Sequence, residues 1–173
     1  MTIALPFSEI VRVNEIGAGL TRRLEPDSAL RVKIARSLDL ASLDVFVADM
    51  ILAPVANAGW RLSGRITADA VQTCGITLDP LLVTIDQRFS IDLIEAAEPD
   101  SDDEIEVGLD DDAPDIVEDG RIDLGQYAVE QLALTLDPFP RKPGAEFVQP
   151  EEPKEISPFA VLKQFKLKDE GQG

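Results

Sequence analysis

Between Trp60 and Ile94 the chain alternates apolar and polar residues twice, and this pair of runs constrains the fold more than any other feature. Trp60, Leu62, Gly64, Ile66, Ala68 and Ala70 fall on one face of the first run, with Arg61, Ser63, Arg65, Thr67 and Asp69 on the other. Residues 73–80 contain Gly75 and Pro80, a turn signal, and carry the only cysteine, Cys74. The second run sets Val83, Ile85, Phe89, Ile91 and Leu93 against Thr84, Asp86, Arg88, Ser90 and Asp92. Period-two alternation marks a strand with one face buried, and two such strands joined by a short turn pair antiparallel. Their apolar faces then require a covering layer.

That layer is predicted from two helical stretches. Asp27 or Ser28 can cap a helix over 28–38, whose Leu30, Ile34 and Leu38 recur at four-residue spacing. A second helix begins after Asp123, with Gln126 three residues on as in an approximate capping box. Leu124, Ala128, Val129, Leu132 and Leu136 form its apolar stripe, and Pro138 and Pro140 end it. Residues 7–16 read as a short strand, and 43–55 as a strand covered on both faces. The predicted architecture is α+β, an antiparallel sheet of about four strands with two packed helices. Its single domain spans 1–140, followed by a proline-rich tail over 141–173. In that tail Ser157 and Pro158 can start a short helix with Phe159, Leu162 and Phe165 on one side.

Charge is uneven. The 173 residues carry a formal net charge of -17, and thirteen carboxylates lie between Glu95 and Asp119 with no basic residue from Phe89 to Gly120. Such a run repels itself and holds few large apolar groups, so 95–120 is predicted to be a flexible acidic loop. Its Asp100, Asp102, Asp103, Glu104, Asp110, Asp111 and Asp112 are the candidate docking surface for a basic partner. The spacing of an EF-hand calcium loop is absent. Candidate RNA-facing cations are Arg22, Arg23, Arg31, Lys33 and Arg36 around the first helix, with Arg61 and Arg65 on the polar strand face. A solvated helix face is the plainer explanation for the first five.

Catalysis finds little support in the residues. The chain has no histidine, the commonest general base and a common zinc ligand. Cys74 therefore lacks the usual activating partner and reads as structural. No phosphate-cradling glycine loop is present, and no pair of carboxylates is singled out for acid–base work, so an enzyme is not expected and no small-molecule substrate is identified. Clustered carboxylates holding a divalent metal for hydrolysis are the weakest of the readings. No apolar run is long enough to span a bilayer and no secretory signal is visible, so a cytoplasmic protein with no membrane partner is expected.

From Trp60 through Thr73-Cys74-Gly75 to Pro80, then across the acidic insertion from Ile122-Asp123-Leu124-Gly125-Gln126-Tyr127 through Leu136, and again at Phe139-Pro140-Arg141-Lys142-Pro143-Gly144, the chain resembles the YceD family of large ribosomal RNA subunit accumulation proteins. Cys74, Asp123, Leu124, Glu130 and Pro140 lie within the resembling segments. The resemblance implies a non-catalytic ribosome-biogenesis factor that supports synthesis or accumulation of large-subunit rRNA in bacteria. The partner would be that rRNA or a basic ribosomal or assembly protein. Many family members carry a Cys-x-x-Cys pair and further cysteines that would suit zinc. Here Thr77 stands three residues after Cys74 and no other cysteine exists, so no cofactor is expected. The rival from another class is an acidic adaptor or chaperone for basic clients unrelated to ribosomes.

Overall fold

The two alternating runs become the two longest strands of the protein. The computed structural model describes residues 6–56, 59–96 and 113–147. In chain order its elements are β1 (Ile10–Arg12), a single 3-10 turn (Val13–Glu15), β2 (Leu20–Leu24), α1 (Ser28–Ser37), β3 (Ser42–Val55), β4 (Gly59–Thr73), β5 (Pro80–Glu95), β6 (Asp115–Val117), β7 (Arg121–Asp123) and α2 (Leu124–Thr135).

Strands β2 to β6 form one sheet in sequence order, and β1 pairs with β7 in a separate two-stranded ladder. The β3–β4–β5 meander is antiparallel, with Leu62 opposite Leu52 on one side and Ile91 on the other, and Ala68 between Phe46 and Ile85. These residues share one face of the sheet, and both helices pack there. Phe46, Met50, Leu52, Leu62, Ile66 and Leu93 from the strands join Ile34 from α1 and Leu124, Ala128, Val129 and Leu132 from α2 in one core cluster. Full burial of such an aliphatic side chain contributes about 1.5–3 kcal/mol, so this face holds the fold together. Gly64 sits opposite Phe89 on the same face. A Cβ there would lie 2.8 Å from the Phe89 ring and from the Asp49 carbonyl oxygen, so glycine is what lets the ring lie across β4.

The α+β architecture, the two helices and the Asp27 and Asp123 caps agree with expectation. Asp27 Oδ1 accepts from the Leu30 amide at 2.8 Å, and Asp123 Oδ1 from the Gln126 amide at 3.1 Å. Four features differ. The main sheet has five strands rather than four, because β2 and β6 join the three expected strands while the strand expected over 7–16 pairs outside this sheet with β7. It is mixed rather than antiparallel, because β6 pairs parallel to the end of β5, with Ile94 opposite Ile116. The strand expected over 7–16 is only three residues long, ending where the chain turns into the 3-10 segment. The acidic loop does not extend to 120, since β6 lies inside that range, with Val117 buried against the core. The remainder of that loop, including Asp100, Asp102, Asp103, Glu104, Asp110, Asp111 and Asp112, lies outside the described residues, as does the helix expected from Ser157.

Candidate functional site

The face of the sheet opposite the helices carries the polar residues of every strand, and the register decides what they do. Asp92 stands directly opposite Arg61, and the two meet side by side: Arg61 Nε donates to Asp92 Oδ1 at 2.6 Å and Nη2 to Oδ2 at 2.9 Å. Arg65 has a like charge, Arg88, directly opposite, an unfavourable cross-strand pair. It reaches diagonally instead to Asp86, with Nε 2.6 Å from Oδ1. On β2, Arg23 Nη1 donates to both oxygens of Asp49 at 2.8 and 2.9 Å. Arg23, Asp49, Arg65 and Arg88 occupy one row across four strands, with Asp86 beside its end.

Arg23, Arg61 and Arg65 thus each hold a carboxylate in a two-point contact, while Arg88 makes no ion pair among the described residues. The hydrogen bonds to Asp92 and Asp86 raise the pKa values of Arg61 and Arg65, and the same bonds hold Asp92 and Asp86 below the usual carboxylate range. All these side chains remain about half exposed, between 47% and 60%, so solvent screens the pairs and they contribute little to stability. A guanidinium already matched to a carboxylate offers less to a phosphate.

The remaining sequence-predicted cations sit on α1 and the edge strand β2. Arg31 is turned inward: Nη1 donates to the Pro26 carbonyl at 2.8 Å, and its enclosed Nε has no hydrogen-bond partner among the described residues. Arg22, Lys33 and Arg36 are exposed and make no ion pair among the described residues. The seven candidate cations therefore divide into three paired on the sheet face, one turned inward, and three on the outer side of α1 and β2.

The Cys74 turn is the second organised region. The thiol is completely enclosed, and its Sγ accepts from the Lys142 amide at 3.3 Å and the Thr77 amide at 3.5 Å. The Gly75 amide donates to the Pro140 carbonyl at 2.9 Å, and Lys142 Nζ reaches Asp79 Oδ2 at 2.9 Å. The Thr77 side chain first, then the Lys142, Thr77 and Ile76 amides, lower the thiol pKa to about 6 against the opposing effect of enclosure. Donors aimed at sulfur stabilise the thiolate as a nearby cation would. Zinc is not accommodated by these residues. The Thr77 position supplies an amide to the sulfur rather than a second thiolate, and among the described residues no three His, Cys, Asp or Glu side chains come together to hold a metal.

Two further positions organise structure. Asp123 caps α2 and also ties down the N-terminal segment, accepting from the Ser8 hydroxyl at 2.6 Å and the Glu9 amide at 2.8 Å, while Leu124 N donates to the Glu9 carbonyl at 2.9 Å. Leu124 is buried in the core, and Glu130 accepts from Gln126 Nε2 at 3.0 Å, so Gln126 does not close the capping box. Sequence reasoning missed the N-terminal strap because its bonds are local to neither segment. It missed the docking of 140–142 on Cys74 because that stretch reads as an extended tail. Asp92 and Asp86 were legible as partners of Arg61 and Arg65 once the β4–β5 register is known.

A family model described as large ribosomal RNA subunit accumulation protein YceD matches residues 62–166, from β4 through α2 and past the last described residue. No curated protein and no solved structure matches the chain.

Proposed function

The chain belongs to the YceD family, whose description gives a role in large-subunit ribosomal RNA accumulation, and on that premise we propose that it acts without catalysis, as a cytoplasmic factor that holds a basic ribosomal or assembly protein. The observation that carries this reading is the state of the sheet-face arginines. Arg23, Arg61 and Arg65 each already grip a carboxylate, which leaves Arg88 as the sheet-face arginine with no ion pair among the described residues and gives that face little excess attraction for phosphate. Residues 97–112, by contrast, contain nine carboxylates and no basic residue, more than half of the net charge of -17. A surplus of one sign attracts a partner of the other and speeds the encounter. The match gives no support to the rival adaptor for clients unrelated to ribosomes.

The test uses the full chain as bait against the host's ribosomal and assembly proteins. A variant with Asp100, Asp102, Asp103, Glu104, Asp110, Asp111 and Asp112 changed to Asn or Ser is expected to lose the basic partner, and undiminished capture overturns the proposal. Depletion of the protein is expected to lower large- relative to small-subunit rRNA. A second reading is favoured by one observation: Arg22, Lys33 and Arg36 are exposed and unpaired among the described residues. They suit a phosphate backbone, and charge reversal at Lys33 and Arg36 reducing rRNA binding would assign the contact to RNA instead.

A further inference from the structure

A groove of about 500 Å³ opens where the C-terminal ends of α1 and α2 meet the Cys74 turn. Leu38, Ile76, Ala133 and Leu136 give it an apolar lining, and Phe139, 77% exposed, stands at its lip. Its charged lining residues are Asp39, Asp137 and Arg141. We propose that this groove seats the chain's own C-terminal segment, residues 157–166, through Phe159, Leu162 and Phe165.

Three observations converge on that occupant. The first is chemical complementarity. Phe159, Leu162 and Phe165 recur every three residues, a spacing that one side of a helix would share, and the neighbouring Lys163 and Lys166 carry charge opposite to that of Asp39 and Asp137. In a chain with 33 acidic and 16 basic residues, Lys163, Lys166 and Lys168 are a local basic cluster within an apolar stretch. The second is reach. Pro140 and Arg141 line the groove, and the Pro140 carbonyl is fixed there by the Gly75 amide. The described chain ends at Phe147, ten residues before Ser157. Ten residues span up to about 35 Å, ample for a return to the groove from a point only six residues beyond Arg141. The third is the family match, whose range of 62–166 includes both the groove-forming 133–141 and this segment. Tethering makes the contact intramolecular at an effective concentration in the millimolar range for a short flexible linker, so a modest intrinsic affinity suffices.

The experiment is amide hydrogen exchange on the full chain. The Phe159→Ser/Leu162→Ser/Phe165→Ser variant is expected to exchange about fivefold faster or more at amides 74–78 and 136–142, with only a small fall in melting temperature because the core is untouched. Ala133→Arg, at an exposed helical position inside the groove, is expected to do the same. A synthetic peptide of residues 154–168 added to the triple serine variant should restore protection. Unchanged exchange in both variants overturns the proposal, and so does a peptide that restores nothing. Protection that grows with wild-type concentration, accompanied by dimers in sedimentation, overturns the own-chain seat and assigns the groove to a second copy's tail.

Discussion

Replacing Gly125 with alanine sets two effects of opposite sign against each other. Gly125 is the second residue of α2, where alanine is favoured over glycine by about 1 kcal/mol from helix propensity alone. The structure predicts the reverse. A Cβ at Gly125 would lie 2.8 Å from the Glu9 amide nitrogen and 2.9 Å from the Ser8 carbonyl carbon and Cα, and all three are backbone atoms that cannot rotate away. Either the helix start shifts, which overpacking data put at about 1–3 kcal/mol, or the N-terminal strap lifts off. Lifting it sacrifices the Ser8 and Glu9 bonds to Asp123 and the Leu124 bond to Glu9. At about 0.5–1.5 kcal/mol each, these bonds are worth about 1.5–4.5 kcal/mol, and the burial of Val11 on β1 is put at risk as well.

The protein will follow the cheaper route, so the clash costs about 1–3 kcal/mol against a gain of about 1, a net loss of up to about 2 kcal/mol. For a protein of this size that lowers the melting temperature by up to about 8 °C. Thermal melts followed by circular dichroism, with urea titration at fixed temperature, measure the change. Strap detachment should also appear as greater proteolytic sensitivity near residues 8–12. A Gly125→Ala protein that melts at or above the wild-type temperature would refute the reasoning, because propensity would then have outweighed contact.

Three further outcomes follow from the same geometry. Leu132→Ala, at a fully buried core position, should cost about 2–5 kcal/mol in urea denaturation, and a loss below about 1 kcal/mol would mean the α2 seam is not packed as described. The Cys74 thiol, lowered to about 6, should titrate near that value in thiolate ultraviolet absorbance, with Cys74→Ser as the blank. Because its folded pKa lies below its unfolded one, its stabilisation is complete above the unfolded thiol value and is lost as pH falls through about 6; equal pH slopes in wild type and Cys74→Ser would sink this. Asp86→Asn should barely move the melting temperature at neutral pH, since the Arg65 pair is half exposed, and a large drop would show that the sheet-face network is structural.

The central hairpin was legible because each strand has one buried face: the alternation from Trp60 and from Val83 maps directly onto the observed inner face, down to Leu62 opposite Ile91. The helices were legible for the same reason, through Ile34 and the Leu124–Ala128–Leu132 stripe, and through their aspartate caps. The short strands were not. In β2 only the end residues Leu20 and Leu24 are apolar, and both of its neighbours in sequence read as turns; it becomes a strand because β3 offers a free edge. In β6 a single buried side chain, Val117, anchors three residues next to the acidic stretch, and its parallel pairing with β5 depends on a chain reversal that local pattern does not encode. The docking of 140–142 on Cys74 is likewise tertiary, since it is made by backbone amides and carbonyls that any sequence possesses.

The division of charge leads to a last prediction that separates the two contact routes by salt alone. If residues 97–112 capture a basic protein, the attraction is one between opposite charges and weakens as the screening length shortens from about 30 Å at 0.01 M to about 10 Å at 0.1 M salt. Association should slow steeply over that range, and the acidic-to-neutral variant should lose the dependence along with the affinity. Changing Arg61 and Arg65 to alanine should leave the capture intact or strengthen it slightly, because each change frees a carboxylate, Asp92 or Asp86, and makes the body more acidic. If RNA were the direct partner, the same double change would weaken binding and flatten its salt slope by about one unit for each lost phosphate contact. Weaker capture on loss of Arg61 and Arg65 would therefore show that these arginines exchange their carboxylates for phosphate, and would overturn the protein-partner route.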